Sequence, residues 1–148
     1  MNRRGEQVAA LPVQPAGVDG LRVLMVTSRG TGRWVIPKGW EEPKMPPWAA
    51  AAVEALEEAG AMGTVAPETI GSYSYGKILG NGIVLPCRVR VYPLLVETLL
   101  DDWKERAERT REWFPPDAAA ELVHEPELAA LFRDLGRAPG LGAVFPRR

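Results

Sequence analysis

Cysteine and histidine are almost missing from this chain, which has one of each, Cys87 and His124. A lone cysteine excludes an intramolecular disulfide and any multi-cysteine zinc or iron–sulfur site. A lone histidine excludes a multi-histidine metal centre. A metal bound here would have to be a hard cation held by carboxylate oxygens. An excess of one charge is lacking too. Eighteen Lys and Arg against nineteen Asp and Glu give a net charge of −1, without the basic surplus of a general nucleic-acid binder. No stretch approaches the ~20 apolar residues that span a bilayer. The opening MNRRGEQVAALPVQPAG has no continuous apolar run of the kind a secretory signal needs. The expectation is a cytoplasmic protein with no nucleic-acid and no membrane partner.

What is present is the composition of a folded domain. The 148 residues are 46% apolar and 25% charged, which suits one domain and is too little for two comfortable ones. A chain of this length buries roughly two-thirds of its unfolded surface and needs no disulfide or structural metal to fold. There is no internal repeat, and the alanine run Ala49 to Ala52 is the one low-complexity block.

Residues 7–13 read as a weak first strand ended by Pro15 and Gly17, and residues 21–27 as a stronger second one. Residues 28–33 read as a glycine-rich turn, and Trp34 to Ile36 as a short strand stopped by Pro37. The loop KGWEEPKMPP leads into a helix over residues 47–59, with Gly60 placed to cap it. Residues 70–77 and 83–98 read as antiparallel strands, with Gly80-Asn81-Gly82 supplying positive-φ residues to the turn. Residues 101–111 read as a charged and mostly solvated segment. Residues 117–123 and 126–135 read as a closing helical pair, and the tail 136–148 as loose. This order predicts an α+β class, an α/β/α sandwich in a single domain with its core from about residue 7 to 135.

The helix over residues 47–59 carries the most information. At roughly 100° per residue, Trp48, Ala52, Ala55, Leu56 and Ala59 share one face, a core stripe small enough to approach a sheet closely. Glu54, Glu57 and Glu58 share another, at i, i+3 and i+4. Such a face is often merely solvated. Yet no Lys or Arg stands at i±3 or i±4 from these glutamates inside the helix, and the pair Glu54 and Glu58 is like-charged at i, i+4. The group also sits at the helix C-terminus, where the macrodipole disfavours negative charge. A coordinated divalent cation would remove both penalties, and Mg²⁺ needs only a few carboxylates beside water and substrate phosphates.

These residues resemble the signature of the Nudix hydrolase family, G-x5-E-x7-R-E-U-x-E-E-x-G-U, with U a bulky apolar residue. Gly39 opens it, and Glu54, Glu57, Glu58 and Gly60 stand at the family's spacings, with Ala55 and Ala61 at the apolar places. Two places depart: Met45 stands where the first glutamate belongs and Val53 where the arginine belongs. The run RWVIPKGW from Arg33 and the segment from Val91 to Phe114, ending in Arg-Glu-Trp-Phe, resemble the diphosphoinositol and diadenosine polyphosphate hydrolase branch. The resemblance extends over about residues 21–123.

The resemblance implies a mixed sheet with the glutamate helix packed on it, and a Mg²⁺-dependent enzyme, with Mn²⁺ as a substitute. Its reaction would be water attack on phosphorus in a diphosphate linkage of a small-molecule polyphosphate. Metal ions would neutralise the chain of phosphates, and a carboxylate would take the proton from water. Glu54 and Glu58 would ligate the metal, helped by the main-chain carbonyl of Lys38 or Gly39. Glu57 would ligate a second metal or act as the base, so all three glutamates are catalytic candidates. Arg29, Lys38, Lys77 and Arg109 would face phosphates, with Arg88 and Arg90 as secondary candidates on one face of their strand. In the family the arginine missing at Val53 pairs with a signature glutamate and holds the carboxylates in orientation. Glu41 and Glu42 lie close enough in sequence to substitute for the carboxylate missing at Met45.

The other conspicuous residues have plain readings. Trp113 and Phe114 read as core packing, Cys87 as a small core residue, and His124 as structural or exposed. Trp40 is either an exposed loop residue or a platform for a nucleobase. A balanced overall charge and the acidic Glu125 favour a nucleotide polyphosphate, with diadenosine polyphosphate first, over an inositol pyrophosphate that would want a denser basic pocket. Two other readings stand beside the hydrolase: a Nudix-type module that binds a nucleotide or polyphosphate without turnover, and an interaction protein with a solvated glutamate face. Monomer and dimer are both open.

Overall fold

The computed structural model describes residues 5–17, 20–137 and 145. Its strands are β1 (Gly5–Ala16), β2 (Gly20–Thr27), β3 (Trp34–Val35), β4 (Lys38–Trp40), β5 (Ala61–Val65), β6 (Gly71–Ile78), β7 (Val84–Leu99) and β8 (Arg111–Phe114). Its helices are α1 (Pro47–Ala59), α2 (Pro116–Leu122) and α3 (Pro126–Arg137). The strands form one mixed sheet. At its centre β1 and β7 run parallel, from Gly5 opposite Cys87 to Val13 opposite Leu95. The other pairings are antiparallel.

Each central strand changes neighbour halfway along its outer edge. β1 pairs with β4 over Gln7 to Ala9 and with β2 from Val13 onward. β7 pairs with β6 as far as Val91 and with β5 from Leu94. This exchange explains how β1 runs on through Pro12, whose missing N–H disfavours a central strand. Pro12 falls in the gap between the two neighbours, where Ala10 has turned its own N–H to the Pro37 carbonyl at 3.0 Å.

Period-two alternation along β1 and β7 sends side chains to opposite faces, and each face has its own core. Ala9, Leu11, Val13, Val89 and Val91 pack under α2 and α3, with Phe132 fully buried among them. Val8, Ala10, Tyr92, Leu94 and Val96 pack under α1. An α/β/α sandwich with the glutamate helix on the mixed sheet is therefore observed.

The helix α1 has the expected bounds, and Gly60 caps it in the left-handed conformation at φ 64°. Its buried stripe is narrower and rotated from the expected one. Ala51, Ala55 and Ala59 meet the sheet, with Ala50 and Glu58 also buried. Leu56 is exposed and Ala52 only partly covered, because both border an open apolar groove between α1 and β5. β4, β5 and β8 were not expected as strands. Each is short, and β5 meets a bulge of β7 at Glu97, beside Gly63, where a side chain would collide with the Leu95 carbonyl. In the hairpin turn only Gly82 takes a positive φ, while Asn81 accepts a hydrogen bond from the Ile83 N–H. α3 continues two residues past Leu135 into the expected tail, and residues 138–144 and 146–148 of that tail lie outside the described residues. No helix among the described residues is long and apolar enough to cross a membrane.

Candidate active site

The C-terminal turn of α1 leaves carbonyls without helical partners, as any helix does. In this chain the segment 100–111 satisfies them one after another. The Gly60 N–H turns back to Leu56, the Glu105 N–H bonds the Glu57 carbonyl, and the Trp103 indole N–H bonds the Glu58 carbonyl at 3.0 Å. The Arg111 guanidinium bonds the Ala59 carbonyl at 2.8 Å and lies 4.0 Å over the Trp103 ring. Residues 101–111 are mostly exposed, as expected, but Trp103, Glu105, Arg109 and Arg111 are partly covered. Alternate members of the segment turn inward because the helix end offers them acceptors, and they bring Glu105 and Arg109 to the glutamates.

Glu58 is held from two sides. One oxygen accepts the Lys38 backbone N–H at 3.3 Å, and the other lies 3.5 Å from the Arg109 guanidinium. Its side chain is 9% exposed. Its carboxyl is raised to about 7: burial pushes it up most, Arg109 pulls it down, and Glu54 and Glu105 push it up. Glu54 adjoins it. Burial raises that carboxyl as well, a hydrogen bond with Glu58 lowers it, and Glu57 and Glu105 add to the rise. A side chain at Gly39 would occupy the place of the Glu54 carboxylate, so glycine there lets the main chain and the carboxylate meet.

Among the described residues no three carboxylates converge tightly enough to enclose a metal by themselves. Mg²⁺ does not require that, since it keeps several waters and takes one or two carboxylates plus phosphate oxygens. A buried carboxylate, Glu58, beside a partly buried one, Glu54, against a peptide group, their ionisation disfavoured until a cation arrives, fits such an ion. Glu57 is set apart from this pair, half-exposed, with Lys104 at 3.6 Å.

The expected phosphate ligands divide into two groups. Lys38 projects on the α2–α3 face of the sheet, 4.9 Å over the Tyr75 ring, with Lys77 and Arg33 near enough to affect its charge. Burial lowers the Lys38 ammonium, Glu58 raises it, and Lys77 and Arg33 lower it further. Arg33 is engaged by Glu125 at 2.8 Å. Burial pushes the Glu125 carboxyl up, but the hydrogen bonds and charge of Arg33 outweigh it and hold it low. Arg29 lies over the 100–111 segment, 3.6 Å from Glu108 and 3.9 Å from Glu105, and is largely exposed. Arg109 is 8% exposed and enclosed by protein oxygens. Arg88 is exposed, and with Arg90 it stands on the α1 face of the sheet, the face opposite Lys38. Glu41 is bound to Arg90 at 2.7 Å.

Trp113 and Phe114 do pack against the cores, Phe114 edge-on to Trp34 at 4.9 Å. Cys87 is buried and His124 exposed. Trp40 is 48% exposed, and a side chain at Gly5 would meet both its ring and Cys87. Cys87 is in turn paired with Tyr75, whose hydroxyl donates to Gln7 at 2.7 Å. Glu105, which sequence reasoning missed, had only one signal: a carboxylate four residues before Arg109, at the spacing that pairs them.

Residues 4–135 match the family described as NUDIX domain. The chain is 33% identical over 120 residues to bovine (Bos taurus) diphosphoinositol polyphosphate phosphohydrolase 3-beta, covering 76% of this chain and 67% of that protein. To the human (Homo sapiens) protein of the same name it is 34% identical over 111 residues, covering 70% and 62%. The chain therefore spans about three-fifths of the length of such curated relatives. Among solved structures, a binary complex of a C. elegans Ap4A hydrolase superposes with a TM-score of 0.65 at 18% identity, covering 87% of this chain and 93% of that one. The NUDIX domain of Shewanella oneidensis NrtR, complexed with ADP ribose, gives 0.64 at 14% identity, covering 90% and 89%.

Proposed function

This chain belongs to the NUDIX family, and from that premise we propose that it is a Mg²⁺-dependent pyrophosphohydrolase of nucleoside- or inositol-linked polyphosphates. The observation that carries the reading is the adjoining pair of buried Glu58 and partly buried Glu54, set against the Lys38 N–H and Gly39. Glu54, Glu58 and the Lys38–Gly39 main chain would hold Mg²⁺, with Mn²⁺ as a substitute. When bound, the cation neutralises phosphate charge and polarises the phosphoryl group under attack. Glu57, partly exposed and facing Lys104, takes the proton of the attacking water. Water oxygen bonds to phosphorus, the bridging phosphorus–oxygen bond breaks, and the electron pair leaves with the departing phosphate. Lys38 and Lys77 on one side and Arg29 on the other balance the charge of the chain of phosphates.

Diadenosine polyphosphate is the preferred substrate within this class. The relatives named diphosphoinositol polyphosphate phosphohydrolases and the neighbour named Ap4A hydrolase support polyphosphate chemistry of both kinds. The half-exposed Trp40, near Tyr75 and Lys38, favours a base, because an aromatic face stacks a nucleobase and gives an inositol ring nothing comparable.

The test incubates the protein with Mg²⁺ or Mn²⁺ and a panel of diadenosine polyphosphates, nucleotide sugars, nucleoside triphosphates and inositol pyrophosphates, with Glu58→Gln as control. Turnover of diadenosine polyphosphate, lost in a Glu58→Gln protein that remains folded, is the expected result. Silence across the panel, with ligand-dependent stabilisation, would instead establish a binding module, a reading favoured by Val53 and Met45 at two signature positions.

A further inference from the structure

The structure assigns Arg109 as the positioning residue for Glu58, supplying from the 100–111 segment the arginine contact that Val53 cannot make from α1. All three of its guanidinium nitrogens face protein oxygens. Nε bonds Glu105 at 2.7 Å, one terminal nitrogen bonds the Thr27 carbonyl at 3.0 Å, and the other lies 3.5 Å from Glu58. The planar fork of an arginine suits this role, since its donors are fixed relative to one another. Thr27 ends β2, and the Thr27 N–H is itself bonded to the Thr110 carbonyl. The guanidinium is thus anchored to the sheet, and it confines Glu58 between that anchor and the Lys38 N–H. Val53 is exposed beside the apolar groove and brings no charge to the carboxylates.

A side chain so enclosed is poorly placed to bind a phosphate. Its removal should therefore act on the geometry of the carboxylates and not on substrate affinity. The inference rests on the hydrolase reading for its kinetic arm only, because its metal-binding arm needs no turnover.

The experiment measures Mn²⁺ binding by electron paramagnetic resonance, together with kcat and KM on the substrate found above, for the wild type, Arg109→Gln, Arg109→Lys and Val53→Arg. Partners that orient metal ligands contribute about ten- to a hundredfold in metal affinity or activity. Arg109→Gln should weaken Mn²⁺ binding and lower kcat by about that factor, with KM within about twofold. Arg109→Lys should recover little of the loss, because an ammonium cannot span the three acceptors. Val53→Arg should leave wild-type turnover within about threefold, since the contact is already made.

Unchanged Mn²⁺ affinity in Arg109→Gln would overturn the inference, as would a rise in KM alone, the mark of a direct phosphate ligand. A large gain of activity in Val53→Arg would overturn it too. If Arg109→Gln does not fold, Arg109→Lys carries the same comparison, and wild-type-like metal binding and kcat there defeat the inference. A wild type that binds Mn²⁺ but turns over nothing would sink the hydrolase reading and leave the metal-binding comparison to decide this one.

Discussion

Gly39 and Glu58 show how single residues set the chemistry of this site. At Gly39 the missing Cβ leaves the space that the Glu54 carboxylate fills. Gly39→Ala should leave the fold intact, because the displaced group is the flexible end of a side chain, while it drives Glu54 off the site. We expect Mn²⁺ affinity to fall by about tenfold or more; binding by the purified variant checks this, and wild-type affinity would refute it. Glu58 makes a prediction about pH. Its carboxyl lies near 7 when folded against an ordinary 4.5, so between those values the folded chain holds more protons than the unfolded one. Stability of the metal-free protein should then fall as pH rises from about 4.5 to 7. Saturating Mg²⁺ should remove that fall by displacing the proton. Melting temperatures across this range in EDTA and in Mg²⁺ test it, and a flat EDTA profile would contradict it. Glu125 acts with the opposite sign, since Arg33 holds its carboxyl low. Its contribution is lost only as pH drops below the carboxylate range, outside that window.

At the scale of elements, α1 and the 100–111 segment act as one unit. The helix has no basic residue in its last turn, so its C-terminal carbonyls and negative dipole end are answered from outside by Trp103, Glu105 and Arg111. Arg111→Met removes one of those hydrogen bonds and the stacking on Trp103. It should cost about 1–2 kcal/mol in urea unfolding. Because Trp103 and Gly60 hold the same turn, a loss of metal affinity should accompany the loss of stability. A stability change under about 0.5 kcal/mol, the scatter of ordinary surface substitutions, would show that the cap contributes nothing. The charge run of residues 101–111 is mostly solvated, while Trp103, Glu105, Arg109 and Arg111 turn toward the helix end. Its composition is that of a solvated face, while its conformation is dictated by acceptors on another element.

For the molecule as a whole, the two cores divide the labour. The α1 core carries the carboxylates, and the core under α2 and α3 carries most of the large buried side chains, Phe132 above all. Phe132→Ala should cost about 3–5 kcal/mol by opening a cavity on the face away from α1. Turnover per folded molecule at low temperature should be unchanged, as calorimetry and active-fraction assays would show. A collapse of kcat in the folded fraction would mean that the two faces are coupled through the sheet.

The sequence by itself determined the helix from Pro47 to Ala59, its cap at Gly60, the strands around Leu21 to Thr27 and Ile83 to Thr98, and the family. These depend on local spacing: helical period, alternating apolar residues, glycine and proline at turns, and carboxylates at fixed intervals. Tertiary structure alone decided that β1 runs past Pro15, the expected end of the strand, to Ala16, because β2 pairs with it there. It also decided which glutamates meet. Spacing put Glu54, Glu57 and Glu58 on one face, but the β4 main chain at Lys38 and Gly39 meets Glu58 and Glu54, while Glu57 faces Lys104. Arg109 and Glu105, some fifty residues further along the chain, reach that pair through the fold. No local period encodes such a contact, because its energy is realised only once sheet, helix and segment 100–111 are packed together.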